Sequence, residues 1–527
     1  MRLVLIRSRN LSPYYDPEIQ EPLGLEYLAA WRMAKGDAVL VMDSTIENAG
    51  DIKMARRAAS FQPDAIGFSI TTAQELASIH AIYRECRRAL GERPVGWIAG
   101  GNFVSSEPAQ AERLLPAEFA LVRFEGENAL DDWMTSRETA SGGPDGRVAS
   151  REAAGGADGR VRPGTAIEDL DSLPFAARPF ANEVLARGGV FNLQGSRGCH
   201  GACRYCSSPG MAAARGWRGR SAAHVAEEIA MLHRRYRARS FNFVDEDFLG
   251  ADRVAADRAR AFAAELTRRG LRVAFSVQVR PGTLSAEAID ALAEVGLVYV
   301  FVGIESDDRE DFRRWARPWT PDPWSRVALL RARGVEVNAG VLLFHRHSTF
   351  AGIRRFAESL HSNRLLEYRS ATNRLDAAPG SQIYREAAAA GQIDADLPGP
   401  RPLPYLEPRI DAFHAELREA LAPLGPPAMQ AVCSLPRALV RQRFDERTGA
   451  DVPELLRIER RMDEAVAGTL FSLLDVHEKG TGAPGLVAEW RRRNLELACE
   501  CSRELAAAGF AQSFESLRQA IRIDAGV

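Results

Sequence analysis

Lysine is scarce in this sequence. Of its 68 basic residues, only Lys35, Lys53 and Lys479 are lysines, and none lies in a glycine-rich phosphate loop. P-loop chemistry is therefore excluded, and a Schiff-base lysine is not expected. Excess positive charge is also lacking, because 70 acidic residues give a formal net charge of −2. We therefore expect no nucleic-acid partner.

Long apolar runs are missing as well. No stretch reaches 18 apolar residues, and the first ten residues, MRLVLIRSRN, are typical of a short strand rather than of a signal peptide. The sequence therefore predicts a cytoplasmic protein without a membrane partner. At 46% hydrophobic and 26% charged residues, the composition is that of a globular chain with a large core.

Cysteine is too sparse for a disulfide scaffold, with seven in 527 residues. Cys499 and Cys501 lie two positions apart on a predicted helix, where they point to different faces, and we interpret them as packing thiols. Three others, Cys199, Cys203 and Cys206, fall within eight residues. Their spacing is therefore more informative than the cysteine count.

The length favours three domains with a connecting segment. Residues 1–136 alternate five strand candidates with helical stretches, at 2–7, 38–43, 64–70, 94–100 and 119–124. This alternation predicts an α/β domain with a doubly wound parallel sheet, whose ligands bind at the carboxyl ends of the strands. Residues 137–189 read as a linker with a small hairpin, since GGPDGRV at 142–148 recurs as GGADGRV at 155–161.

Strand and helix patterns resume over residues 190–394. The strand candidates are 191–196, 240–246, 273–279, 298–304, 336–344 and 366–372. Six such units predict a partial (β/α)6 barrel with its chemistry at the carboxyl ends of the strands. Residues 395–527 begin with a proline-rich connection and then predict a mostly helical region.

The segment GSRGCHGACRYCSSPG (195–210) directly follows the first barrel strand candidate and holds the three clustered cysteines in CxxxCxxC spacing. Three thiolates on a short loop can hold three irons of a [4Fe–4S] cluster and leave the fourth iron open to a chelating ligand. The alternatives are a zinc loop that lacks one ligand, or three unrelated core thiols. Zinc usually takes CxxC pairs or a partnering histidine, and His200 inside the motif is poorly placed for this.

With this spacing and Tyr205 just before the third cysteine, the sequence resembles the radical S-adenosylmethionine (SAM) superfamily. The resemblance extends through four segments of the barrel, namely FNFVDEDF (241–248), VQVRPG (277–282), VGIES (302–306) and APGSQIY (378–384). It implies a [4Fe–4S] cluster on Cys199, Cys203 and Cys206, with SAM chelating the open iron and an external electron donor. The family's chemistry is reductive cleavage of SAM to a 5′-deoxyadenosyl radical.

The resemblance also implies the SAM contacts. Tyr205 would lie near the adenine, while Asp245, Arg280 and Glu305 would hold the amine, the carboxylate and the ribose. Because this sequence has VDED rather than Gly-Gly-Glu, Asp245, Glu246 and Asp247 are all candidates for the amine contact and for acid catalysis. Their alternative interpretation is an acidic cluster at a helix N-terminus.

The N-terminal domain resembles the cobalamin-binding domain that is fused to one radical SAM subclass, through residues 21–43, 64–72, 98–106 and 123–128. The resemblance implies a corrinoid pocket lined by Ser69, Thr71, Gly100, Gly101, Glu125 and Gly126. Glycines allow close backbone approach to a large flat ligand, although a tight turn would explain each of them alone. No Asp-x-His-x-x-Gly motif is present, so no histidine is expected below cobalt.

His345 and His347 follow the fifth barrel strand candidate. They are candidates for a general base, with a solvated loop histidine as the alternative.

Three functions are compatible with these features. The first is a cobalamin-dependent radical SAM methyltransferase acting on an sp³ carbon of a small natural product. The second uses the same architecture for dehydration or cyclisation, as in radical SAM diol dehydratases of aminoglycoside antibiotic biosynthesis. In that case an aminosugar would be the substrate, and an acid of 245–247 would protonate the departing hydroxyl. A corrinoid carrier or electron-transfer protein is the third, but it leaves the barrel without a role.

Overall fold

The structure is a computed structural model that describes residues 1–9, 21–141, 160–186, 189–213, 216–444, 451–480 and 484–509. The strands are β1 (Arg2–Arg7), β2 (Ala38–Asp43), β3 (Ala65–Ser69), β4 (Gly96–Gly100), β5 (Phe119–Arg123), β6 (Val161–Pro163), β7 (Phe191–Leu193), β8 (Ser196–Cys199), β9 (Gly216–Gly219), β10 (Ser240–Phe243), β11 (Ala274–Val279), β12 (Leu297–Glu305) and β13 (Glu336–Val341).

The helices up to residue 268 are α1 (Leu23–Met33), α2 (Asp51–Ser60), α3 (Leu76–Leu90), α4 (Asn102–Ser106), α5 (Pro108–Leu114), α6 (Glu127–Ser141), α7 (Ala181–Ala186), α8 (Ser208–Met211), α9 (Ala222–Tyr236) and α10 (Asp252–Arg268). Those that follow are α11 (Ala286–Val295), α12 (Arg309–Arg314), α13 (Pro323–Ala332), α14 (Phe350–Ser362), α15 (Tyr368–Thr372), α16 (Gln382–Ala389), α17 (Arg409–Leu421), α18 (Gly425–Phe444), α19 (Asp451–Glu478) and α20 (Pro484–Ala507).

Packing divides the chain into two compact units. The first contains Met1–Ala251 together with Ala377–Arg401, and the second contains Asp252–Asp376 and the chain from Pro402 onward. The predicted domain boundaries at 136, 189 and 394 stay predictions. Within the described residues, no helix is both long and apolar enough to cross a membrane.

The first unit is built on a parallel six-stranded sheet in the order β2-β1-β3-β4-β5-β6. Along β1, Leu3 and Leu5 pack in one core cluster, whereas Val4 and Ile6 pack in another. Because successive strand side chains point to opposite faces, both faces of this sheet are buried, as in doubly wound folds. The carboxyl ends of its strands meet at one edge, where such folds bind ligands.

The same unit carries the start of the second predicted domain. Strand β10 pairs in parallel with β7, and β8 pairs with β9 in an antiparallel hairpin in which Cys199 lies opposite Gly216. Gly198 in this hairpin has φ +81, and a Cβ there would lie 2.2 Å from the carbonyl oxygen of Gly216. Only glycine therefore fits at the position before the first cysteine of the motif.

The second unit contains the parallel strands β11, β12 and β13, with β12 in the middle. Helices α11 and α13 pack beside these strands. Helices α17, α18, α19 and α20 pack on one another, and α18 also contacts β11 and β12. The mostly helical region expected from residue 395 onward is thus present and closes against the strands of its own unit.

The predicted fold class is confirmed: an N-terminal doubly wound parallel sheet, a second set of parallel strands and a helical C-terminal region. The sixth barrel strand expected at 366–372 is wrong, because Tyr368–Thr372 forms helix α15. Helix α15 is short and its Ala371 and Thr372 are buried, so its sequence gives the same apolar pattern as a buried strand. The expected hairpin at 142–161 falls almost entirely outside the described residues.

Candidate cofactor site

The three motif cysteines are gathered by one loop that begins at the end of β8. The N–H of Gly201 donates to Cys199 Sγ at 3.3 Å. A Cβ on Gly201 would lie 3.5 Å from both Cys199 Sγ and Cys203 Sγ, so these two sulfur atoms are no more than about 7 Å apart. The backbone N–H of Cys206 donates to the carbonyl of Cys203 at 3.0 Å. The loop therefore presents its thiols to one small region.

This arrangement fits a cluster better than a single ion. Among the described residues, no three His, Cys, Asp or Glu side chains converge as a single metal ion requires. Ligands of a [4Fe–4S] cluster bind separate irons, so their sulfur atoms surround the cluster instead of meeting at a point. The zinc alternative from the sequence is therefore not favoured by the geometry.

The three acids after β10 have different surroundings. Asp245 is buried and accepts hydrogen bonds at both carboxylate oxygens, from the Gly195 N–H at 2.9 Å and from the Ser196 hydroxyl. Asp247 is also buried, and its carbonyl accepts from Trp217 Nε1 at 2.7 Å.

Glu246 differs from both neighbours because it is exposed and turned toward the cysteine hairpin. Its Oε2 accepts from the N–H of Gly198 at 3.3 Å. Burial raises the pKa of the Cys206 thiol, and the nearby Cys203 and Glu246 also raise it. The structure thus brings Glu246 to the cysteine loop, while Asp245 supports the backbone before it.

Two further predicted SAM contacts lie in the second unit. Arg280 directly follows β11 and its Nη2 lies 3.0 Å from Asp252 Oδ1. Glu305 ends β12 with φ +68, at a register shift between β12 and β13, and its Oε1 lies 3.5 Å from Arg317 Nη2. A positive φ at a non-glycine residue is strained, and such positions concentrate at functional sites.

His345 is held by its neighbours in the second unit. Its Nε2 lies 3.2 Å from Asp311 Oδ2, and its Nδ1 accepts the backbone N–H of His347 at 3.3 Å. Burial raises the pKa of Asp311, but hydrogen bonds from His345 and Ser306 outweigh burial and hold this pKa below its ordinary value. Both ring nitrogens of His345 are therefore engaged, which does not favour its predicted role as a general base.

A cavity of about 350 Å³ opens at the carboxyl edge of the six-stranded sheet. Five of the predicted corrinoid contacts line it: Ser69, Gly100, Gly101, Glu125 and Gly126. Thr71 does not, since it lies in the turn capped by Glu75, which accepts its N–H at 3.0 Å. Gly101 has φ +101, and a Cβ there would lie 2.6 Å from the Ile70 carbonyl oxygen. This glycine is required by the turn and also keeps the cavity wall flat.

Apolar side chains form most of the remaining wall, including Leu5, Leu23, Leu25, Phe68, Ile98, Val122 and Leu130. A large, mostly apolar cavity with a flat glycine wall fits a corrinoid. The cavity is also lined by Gln194 and Arg197, from the start of the cysteine-bearing segment, and by Val244, which follows β10. Arg197 lies only two residues before Cys199.

A partly buried ion network joins the loop after β5 to the cysteine hairpin. Arg197 Nη1 donates to Glu125 at 2.8 Å and Arg197 Nη2 to Glu127 at 2.6 Å, while Arg218 of β9 also donates to Glu125. Burial would raise the pKa of Glu125, but hydrogen bonds from Arg218, the Ile167 N–H and Arg197 lower it below its ordinary value. The network therefore fixes the cysteine hairpin to the loop that follows β5.

Sequence reasoning missed Arg197, Arg218 and Glu127 in this network. Arg197 stands inside the cysteine motif and Glu127 inside RFEGEN, so both lay in segments already singled out. Their pairing spans 70 positions, however, and nothing local in the sequence indicates it.

Two family models match this chain. Residues 193–360 match the model of the Radical SAM superfamily, and residues 17–133 match that of the B12 binding domain. The uncharacterized methyltransferase PH0819 from Pyrococcus horikoshii is 28% identical over 296 residues, which is 54% of this chain and 61% of the relative. The match thus spans less than two thirds of that relative's length.

Two solved structures share the fold. The cobalamin-dependent S-adenosylmethionine radical enzyme OxsB, with aqua-cobalamin and S-adenosylmethionine bound, superposes with a TM-score of 0.72 at 15% identity and covers 99% of this chain and 83% of its own. The radical S-adenosylmethionine methyltransferase TsrM from Kitasatospora setae, with cobalamin and a [4Fe–4S] cluster bound, superposes with a TM-score of 0.60 at 18% identity. The superposition covers 96% of this chain and 99% of the TsrM chain.

Residues 193–360 are thus a Radical SAM domain, and residues 17–133 are a B12-binding domain. The prediction made from the cysteine spacing and the N-terminal segments is confirmed. The Radical SAM domain implies a [4Fe–4S] cluster and SAM as cofactors, and the B12-binding domain implies cobalamin.

Proposed function

We propose that this enzyme is a cobalamin-dependent methyltransferase that acts on a carbon atom of a small molecule. The observation that carries the proposal is Arg197, which lines the cavity at the sheet edge and lies two residues before Cys199. The corrinoid cavity and the cysteine loop therefore share a wall within one compact unit. Methyl transfer requires such closeness, because one bound substrate must be reached from both cofactors.

When bound, the cluster supplies the electron that cleaves SAM and cobalamin relays a methyl group, with an external donor providing the electron. The chain's own residues bind and orient these groups. Cys199, Cys203 and Cys206 hold the cluster, and Tyr205 lies beside the third thiol.

For the amine of SAM we assign Glu246 rather than Asp245. Both oxygens of Asp245 accept hydrogen bonds from the segment before the cysteines, whereas Glu246 is exposed and lies at the cysteine hairpin. Arg280 and Glu305 are assigned to the carboxylate and ribose of SAM by their positions in the family's motifs. In the N-terminal domain, Ser69, Gly100, Gly101, Glu125 and Gly126 hold the corrinoid, with Glu125 fixed by Arg197 and Arg218.

The role of the cysteines is tested by replacing Cys199, Cys203 and Cys206 together with alanine. We expect loss of the broad Fe–S absorbance after anaerobic reconstitution, since no ligands remain. Replacing Cys499 and Cys501 is the matched control, because both lie on α20 in the other unit. This control variant should keep the full Fe–S absorbance. A triple variant that still binds a full complement of iron and sulfide would refute the assignment.

The reaction is tested with methyl-deuterated SAM, a strong reductant and a panel of small molecules that includes aminosugars. Methyl transfer predicts deuterium in the product, with S-adenosylhomocysteine and 5′-deoxyadenosine formed together and with strict dependence on bound corrinoid. Corrinoid-independent turnover that yields 5′-deoxyadenosine alone, with a product lighter by water, would instead establish the dehydratase alternative.

A further inference from the structure

A second cavity, of about 260 Å³, lies within the second unit. Its wall combines strands β12 and β13 with helices α15, α18 and α19. Tyr299 on this wall precedes Glu305 by six residues along β12, which corresponds to roughly 20 Å at about 3.3 Å per residue. The cavity therefore lies far from the strand end that carries the predicted SAM contact, and none of the functions assigned above uses it.

Four carboxyl groups face this cavity: Glu336 on β13, Glu367 at the start of α15, and Glu459 and Asp463 on α19. Glu459 and Asp463 are four residues apart and so lie on the same face of the helix, where like charges destabilise it. In the described part of the chain, neither of them has a hydrogen bond or ion pair. Burial is the largest cause that raises the pKa of Glu459, to about 8, and also raises that of Asp463 well above its ordinary value.

Unpaired carboxyl groups shielded from bulk water are costly, and most proteins pair them or replace them. Here they are kept around a cavity instead of being packed away. Four arginines also line the cavity, but three of them, Arg364, Arg369 and Arg460, are exposed. Arg331 donates to the carbonyls of Asn363 and Arg364. Arg369 lowers the pKa of Glu367, whereas none of the four arginines is among the groups that shift the pKa of Glu459 or Asp463.

The arrangement of the carboxyl groups around the cavity favours an ammonium group over a metal ion. The acids do not converge on a point as a metal ion requires, in the residues that the structure covers. They surround a volume large enough for a few heavy atoms, beside the apolar side chains of Met429, Val432, Leu435, Leu456 and Met462. An ammonium group has three N–H donors, which the carboxylate oxygens of Glu367, Glu459 and Asp463 can accept, and an alkyl stem would contact the apolar wall.

We propose that this cavity binds a primary alkylammonium group, either of a free amine or of a small molecule that carries one. It is a ligand site in its own right and does not depend on the proposed methyl transfer. The bound ammonium stabilises the ionised carboxyl groups and relieves the repulsion between Glu459 and Asp463.

The affinity should increase with pH. At pH 6 the carboxyl groups are largely protonated, since burial raises the pKa of Glu367 to about 7 and that of Glu459 to about 8. They ionise between pH 6 and 9, while an alkylamine stays charged up to a pKa of about 10. The other charged or titratable groups facing the cavity, from β12, β13, α13, α15, α19 and the 364–365 turn, are Tyr299, Glu336, Arg331, Arg369, Arg460 and Arg364.

The proposal is tested by calorimetric titration of the full chain with n-butylamine at pH 8.5. We expect saturable 1:1 binding that weakens about tenfold or more in Glu459→Gln/Asp463→Asn, because charge-assisted hydrogen bonds are lost. 1-Butanol, which is of equal size and neutral, and Mg²⁺ should not bind. Glu464→Gln is the matched control, since Glu464 is the next residue on α19, is 74% exposed and lies outside the cavity.

Folding of the double variant is checked by its thermal midpoint, which should equal or exceed that of the wild type because the repulsion is gone. The single variant Asp463→Asn provides a second test and should bind butylamine more weakly. Equal affinity of butylamine for wild type and both variants, equal binding of 1-butanol, or no saturation up to about 10 mM would overturn the proposal. These results do not depend on cluster, corrinoid or turnover, so the methyltransferase proposal stands or falls separately.

Discussion

The two units differ in how they accommodate charge that is shielded from water. In the first unit, Arg178 is buried between Glu21 at 2.7 Å, Glu228 at 3.1 Å and Glu26 at 3.4 Å, so three acids share this cation, although burial still raises the pKa of Glu21 and Glu26. In the second unit, Glu459 and Asp463 face a cavity without a partner among the described residues. Paired buried charges fix one segment to another, whereas carboxyl groups without a partner can bind a ligand of opposite charge.

The largest effect is expected from breaking the paired network. Arg178→Met leaves three buried glutamates without their common cation and should lower the free energy of unfolding by about 3–5 kcal/mol. The check is urea denaturation followed by circular dichroism at pH 7.

The control is Arg354→Met, since Arg354 also contacts two acids, Asp475 and Glu478, but is 27% exposed. Pairs that water still reaches contribute little, so this change should cost about 1 kcal/mol or less. Similar losses in the two variants would show that burial does not distinguish these networks.

The pH dependence of stability should reveal the unpaired acids. Because the pKa of Glu459 is raised to about 8 in the folded protein, its folded form holds a proton that the unfolded chain releases above its ordinary pKa of 4.5. Its contribution to stability is therefore fully present below pH 4.5 and is lost progressively as the pH rises to 8.

This contribution is isolated by comparing wild type with Glu459→Gln from pH 5 to 9. The stability difference should move in favour of the variant as the pH rises, whereas Glu464→Gln should follow the wild type throughout. A constant difference over this range would mean that Glu459 is not held protonated.

The smallest expected effect comes from removing the charge of one carboxyl group in each unit. Glu127→Gln in the first unit removes the charge opposite Arg197 and should destabilise the protein by about 1–2 kcal/mol. Glu459→Gln at pH 8 should be neutral or stabilising. The same chemical change thus has opposite signs in the two units, and denaturation midpoints measured side by side decide it. Destabilisation of both variants would contradict the distinction.

The sequence predicted five strands of the N-terminal sheet closely because each is a short apolar run between helices, whereas the three-residue β6, in the predicted linker, was missed. β1 and β2 match the predicted ranges in full, and β5 differs by one residue. The sixth barrel strand was wrong because helix α15 is only five residues long and shows no helical period. Length and local pattern are weak guides for such short buried segments.

For the site, the motif located the cysteines and the segment of acids, but not which acid faces the loop. The difference between Asp245 and Glu246 depends on Gly195, Ser196 and Gly198, which contact them from about 50 positions away. The amine-binding cavity was missed for the same reason. Its acids come from β13, α15 and α19, and each alone resembles an ordinary surface residue.

The path of the chain has a practical consequence for dissecting this enzyme. Residues 377–401 belong to the first unit, where Ile383 N–H donates to the Arg204 carbonyl at 3.0 Å and Gln110 Nε2 to the Ala395 carbonyl at 2.6 Å. No single truncation point therefore yields either unit intact. A fragment ending at Ala251 lacks a segment that contacts the cysteine loop, and only co-expression with that segment or a permuted gene would supply a complete half.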